Sequence, residues 1–249
     1  MFKELGQASA DISKEVLIPP AKELGNVLGD MVSVSFGWLA KIKIKQEHNI
    51  QLFKEGLQDG LDNIKPENLV QPPLHIVGPA IKASKYYIET DELRQMFINL
   101  VVSSSDRTKQ TTVHPSFVEI IKQLSSVDAT CFRYLCENTK TAGCCSLRLY
   151  DTSVNDGSYR DFKYIFDFPG VDTENFVSYM TVADNLIRLG LIECIDTSTS
   201  SDKSRYTKLR SIDFISSVNG SRAKPFNIEF NECFWSLTSL GSSFKSTVL

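Results

Sequence analysis

The chain has few of the residues that most often mark catalytic and metal centres. Its 249 residues include only three histidines, His48, His75 and His114, far apart in sequence. No phosphate-binding glycine loop of either standard spacing occurs, nor a G-x-S-x-G elbow or an H-E-x-x-H pair. These absences remove the local signatures of dinucleotide enzymes, P-loop NTPases, serine hydrolases and zinc proteases. The six cysteines, Cys131, Cys136, Cys144, Cys145, Cys194 and Cys233, form no C-x-x-C pair, and adjacent Cys144 and Cys145 are poorly placed for a simple disulfide. Free thiols in a reducing compartment are therefore expected. No apolar h-region follows the scattered charges of "MFKELGQASADISKEV", so an intracellular chain is expected. A formal net charge of −3 argues against a protein built mainly to coat nucleic acid.

What is present is ordinary globular material, 23% charged and 42% hydrophobic, long enough for two small domains. Pro19-Pro20 interrupts a polar arm, and a helix is expected from Ala21 to about Ala40, followed by Lys41, Lys43 and Lys45. Ile50, Phe53, Leu57, Leu61 and Ile64 recur at helical spacing, and "KPENLVQPPLHIVGP", with its four prolines, reads as a connector. Beyond Pro79, Leu93, Met96, Phe97, Leu100 and Val101 share one helix face. Ser116 with Glu119, and Ser125 with Asp128, have capping-box spacing ahead of apolar runs. "DFKYIFDF" is β-prone, and "DTENFVSYMTVADNLIRLGLIECID" reads as a helix ending at Gly190 and then a strand. "FNIEFNECFWSLT" reads as a further strand.

The expected fold is mainly α with a small β component. An arm (residues 1–20) and a helical region (21–125) precede a winged-helix-like α+β region (126–249), read from the order helix, helix, strand, loop, strand.

No local signal supports an enzyme, a cofactor or a metal site, so no catalytic residues are assigned. Asp91-Glu92 and the acids from Asp172 to Glu174 sit at helix starts, where the helix dipole alone favours them. His114-Pro115 reads as a turn, and Cys131 and Cys136 as small apolar filler. The basic run "KSRYTKLR" (Lys203, Arg205, Lys208, Arg210) suits either a wing touching phosphate or a solvated loop.

The stretch "LGNVLGDMVSVSFGWLA", Leu24 to Ala40, carries one charge, Asp30. On a helical wheel, Asn26, Gly29, Asp30, Ser33, Gly37 and Ala40 fall within an arc of roughly 100°. Leu24, Leu28, Phe36, Trp38 and other apolar residues fill most of the rest. Gly25, Gly29, Ser33 and Gly37 are spaced by four, which lets helices approach closely in lipid. Two readings fit: a helix buried in a soluble domain, or one that oligomerises in a membrane with Asp30 facing a watery lumen. On the second reading the working residues are Leu24, Gly25, Leu28, Gly29, Asp30, Ser33, Phe36, Gly37 and Trp38.

"AKELGNVLGD", "PENLVQPPLHIVGPAI", "DELRQMFINLVVSSSD" and above all "VHPSFVEIIKQLSSVDA" resemble the abortive infection alpha (Abi-alpha) family of bacterial and prophage proteins. "DNLIRLGLIE" and "LTSLGSSF" extend the likeness, whereas residues 1–20 and the insert around Cys144 to Pro169 are less family-like. The resemblance implies defence against phage and supplies no catalytic residues. Joined to the wheel, it leads us to expect an effector that is cytoplasmic at rest and in the inner membrane once activated. A multimeric phage structural or assembly protein would gather copies into a homo-oligomer that permeabilises the membrane. Nucleic acid is disfavoured as a partner. The rival readings are a winged-helix regulator of prophage DNA and a toxin acting on a host protein.

Overall fold

A computed structural model describes residues 20–37, 44–151, 157–171, 175–211 and 226–249. The arm over residues 1–19, Trp38, Lys41, Lys43 and the acids Asp172 to Glu174 lie outside the described residues. The protein is mainly α with a small antiparallel sheet, and it divides into two units. One comprises Met1–Gln123 with Ser246–Leu249, and the other comprises Leu124–Lys245.

The first unit is helical. Its elements are α1 (Ala21–Phe36), α2 (Ile44–Asp62), α3 (Leu74–Ser84), α4 (Asp91–Ser104) and α5 (Ser116–Lys122). Helix α1 begins directly after Pro20, whose ring cannot continue a helix backwards. The expected periodicity in α2 is met, with Ile50, Phe53, Leu57 and Leu61 buried. Helix α4 buries Leu93, Met96, Phe97, Leu100 and Val101, and its first-turn Asp91 pairs with Arg94 at 2.8 Å. Three successive buried serines follow. Ser103 donates to the Thr247 carbonyl, and Ser104 and Ser105 both donate to that of Val101, so none is left unsatisfied.

Two local readings need correction. The proline-rich connector contains helix α3, which runs through Pro79. The ring deletes one backbone bond, but Ile76, Val77, Ala80 and Ile81 are all buried on the opposing face, and that burial outweighs the loss. Ser116 does not cap α5. His114 Nδ1 accepts from the Ser116 amide at 3.1 Å and lies 2.7 Å from its hydroxyl, while Glu119 bonds Lys122 instead. A side chain two residues upstream has taken the group that the box would have used.

The second unit contains α6 (Ser126–Glu137), β1 (Cys144–Asp151), β2 (Tyr159–Phe166), α7 (Phe176–Arg188), β3 (Ile192–Ile195) and β4 (Phe226–Leu237), followed by α8 (Ser239–Val248), whose last residues count with the first unit. The capping box of Ser125 and Asp128 is present, and buried Asp128 also accepts from Asn185 Nδ2 at 3.1 Å. Helix α7 stops at Gly190, which has φ +70, as a left-handed C′ glycine should. The sheet order is β2-β1-β4-β3, antiparallel throughout. It is larger than the strand–loop–strand read from the sequence. The stretch taken as an insert supplies β1, an interior strand with Cys145, Leu147 and Leu149 in a core that also holds Ile165, Phe176 and Leu209.

Candidate functional site

Helix α1 holds to the first unit by one stripe. Leu24, Leu28, Val32 and Phe36, each four residues from the last, are buried, and Phe36 meets Phe53 of α2 at 6.0 Å between ring centroids. Val27 and Val34 point away and are 54% and 85% exposed. The apolar arc of the wheel is therefore split between core and solvent. The helix is described to Phe36 with Gly37 as its cap, short of the expected end at Ala40.

The face with the small residues opens onto a groove of about 620 Å³ between α1 and α2. Gly25, Gly29 and Asp30 line one wall; Lys54, Glu55 and Gln58 line the other. Lys54 Nζ donates to Ser33 Oγ at 2.7 Å, and Ser33 donates to the Gly29 carbonyl at 2.8 Å. A Cβ built on Gly29 would meet nothing within 4 Å. One on Gly25 would meet only the end of the flexible Gln58 side chain. The contrast lies one helix further on. Gly56 and Gly60 of α2 have the same spacing, and Cβ atoms there would come within 2.7 Å of Ile98 and 2.5 Å of Val102 on α4. Close helix packing in this unit uses that pair, which sequence reasoning passed over; on α1, the Gln58 side chain covers Gly25, Lys54 holds Ser33, and Gly29 borders the open groove.

The basic run of the second unit is engaged with its own surroundings. Arg205, 8% exposed, donates from Nε and Nη2 to the Ala142 carbonyl at 3.0 and 2.8 Å, and from Nη2 to that of Thr139 at 3.3 Å. Lys203 and Arg210 both pair with Glu232, Arg210 at 2.8 Å. Burial pushes the Glu232 carboxyl up, but the two cations outweigh that and hold it below the usual glutamate range. Lys208 donates to the Asp167 carbonyl at 3.2 Å. The four cations are thus near one another in sequence but serve three separate contacts.

Among the described residues, no group of three or more His, Cys, Asp or Glu side chains is placed to hold a metal ion. Among the same residues, no helix is long and apolar enough to cross a membrane. The model of the family described as abortive infection alpha matches residues 45–248. The chain belongs to the abortive infection alpha family. Its role is accordingly defence by abortive infection. No curated protein and no solved structure matches the chain. The Abi-alpha match begins inside α2, so α1 precedes it, whereas the sheet and the supposed insert lie within it.

A second polar cluster had no local signal in the sequence, because its members are dozens of residues apart. Cys233 of β4 faces Cys144 of β1 in register, and its Sγ lies 3.3 Å from Ser146 Oγ. Asp196, just past β3, is 3.6 Å from the same sulfur and 3.2 Å from Lys163 of β2. Beside Lys163, at a shift in the β1–β2 register, Tyr164 has φ 57, an uncommon conformation for a side chain of this size.

Proposed function

We propose that this Abi-alpha protein is an effector that a multimeric phage component gathers into an oligomer, which then permeabilises the inner membrane through α1. The observation that carries the reading is the open space at Gly29. A helical glycine costs about 1 kcal/mol relative to alanine, and at this position the resting fold uses neither its small size nor any special backbone angle. The cost is recovered only if the stripe meets something else, and backbone-close association of α1 copies in lipid is what this spacing suits.

Assembly is the controlled step. The described helix of 16 residues is roughly 24 Å long, short of a hydrocarbon core of about 30 Å. Asp30 adds an insertion cost of about 2.5–3.5 kcal/mol when a copy enters alone. Copies held on a ring or shell of phage protein share a high effective concentration, and in an oligomer Asp30 faces water within the lumen. Dye-loaded liposomes of bacterial lipid provide the test. Leakage is expected when the full chain is mixed with assembled phage structural protein, and not with the same protein as monomer. Intact liposomes in every mixture would remove the membrane reading and leave the defence role in place.

A further inference from the structure

We propose that the cavity between the start of α1 and the connector after α2 binds a peptide segment that sets a bulky apolar side chain beside a lysine or arginine. The cavity holds about 610 Å³, a volume typical of ligand sites. Pro20 and Ala21, where α1 begins, line one part of it. Ile64, Pro66 and buried Leu69 supply the rest of the apolar lining. Asp62 and Glu67 complete it, so every charged residue of the lining is a carboxylate. The shape is fixed before any ligand arrives. The Asn63 and Ile64 amides still donate to the α2 carbonyls of Asp59 and Leu61, and Pro66 opens a single 3-10 turn over Pro66–Asn68. Beyond that turn the Val70 amide donates to the Ser105 carbonyl at 2.9 Å. The rings of Pro20 and Pro66 restrict the backbone on both sides.

The lining selects the occupant. Its apolar part takes up an apolar side chain, which leaves water on entry. Asp62 and Glu67 are both exposed. Asp62 accepts from Gln58 at 2.8 Å, and neither carboxylate has a cation partner among the described residues. An ammonium or guanidinium next to the apolar side chain supplies that partner, whereas an acidic neighbour is repelled. A segment docked here touches both α1 and the connector, so it favours the state in which α1 is seated. By mass action, ligand at about nine times its dissociation constant cuts the unseated population about tenfold. The inference stands apart from the membrane reading, because it concerns the seated helix alone.

The test titrates the isotope-labelled full chain with two capped dipeptides, tryptophan–lysine and tryptophan–glutamate, and follows backbone amides by NMR. The lysine probe should give saturable shifts at Ala21, Asp62, Ile64 and Leu69 and bind about tenfold more tightly than the glutamate probe. Glu67→Gln is an exposed change that should leave the circular dichroism unaltered. It should weaken the lysine probe about threefold and leave the glutamate probe no weaker. With the lysine probe at about nine times its dissociation constant, amide exchange in α1 should slow about tenfold. No saturable shift at those amides, equal affinity for both probes, an unaffected Glu67→Gln protein, or α1 exchange that does not slow would each overturn the proposal. Two other occupants would show themselves and overturn it as well. Binding seen only in a Leu17→Asp variant would assign the cavity to the chain's own residues 1–19. Binding that weakens as protein concentration rises would assign it to a second copy.

Discussion

Position 29 separates the stability of the resting fold from the proposed activity. Gly29 sits in the interior of α1 with ordinary helical geometry, and a Cβ there reaches no atom within 4 Å. Gly29→Ala should therefore stabilise the first unit by up to about 1 kcal/mol, since alanine restricts the unfolded chain and meets no clash. For a unit of this size that corresponds to a melting temperature higher by roughly 2–5 °C. Gly29→Leu adds bulk into an open groove of about 620 Å³ and should be no less stable than the wild type. In an assembly of α1 helices the same bulk keeps backbones apart, so Gly29→Leu should abolish liposome leakage and membrane depolarisation in infected cells. Calorimetry and dye release on the same preparations distinguish the outcomes. A Gly29→Leu protein that melts several degrees below the wild type would show that the groove is not open in solution. A stable one that still leaks would show that the small face plays no part in assembly.

Three further outcomes follow from the packing. Leu28→Ala removes the centre of the α1 stripe, at a cost of about 2–5 kcal/mol, and amide exchange should show α1 losing protection before α2 or α4. Glu232 has a carboxyl pKa lower folded than unfolded, so its contribution is present at neutral pH and is lost as pH falls through the folded value. Urea midpoints of wild type and Glu232→Gln should accordingly differ at pH 7 and converge in acid, with a gap of at most about 1 kcal/mol because Lys203 and Arg210 are exposed. Arg205→Ala should cost about 1–3 kcal/mol by removing a buried side chain and its two hydrogen bonds to the buried Ala142 carbonyl, whereas Arg210→Ala should cost little. A DNA-retardation test is therefore sound with Lys208 and Arg210 variants, and loss of retardation in an Arg205 variant would report unfolding as readily as lost contact.

Much of the fold was legible because its determinants are local. The apolar recurrence of α2 and α4, the Ser125–Asp128 box and the left-handed Gly190 each act within a few residues, and each appears where periodicity and capping put it. Local rules failed where a second, equally local group or a distant face competed. His114 captured the Ser116 amide, and buried residues on both sides of Pro79 carried α3 through the ring. The central place of β1 could not be read, because strand order depends on pairings between Cys144 and residues more than eighty positions away. The thiol cluster was hidden for the same reason.

The sequence by itself determined the helical periods, most of their ends and, through its motifs, the family. Only the tertiary structure decided what each helix face meets. Gly25 with Gly29, and Gly56 with Gly60, share a spacing and cannot be told apart along the chain. One pair admits Ile98 and Val102; of the other, Gly25 meets the end of the Gln58 side chain and Gly29 borders the open groove. Spacing sets which residues share a face, but the free energy of that face depends on the surface opposite it, and that surface comes from another part of the chain.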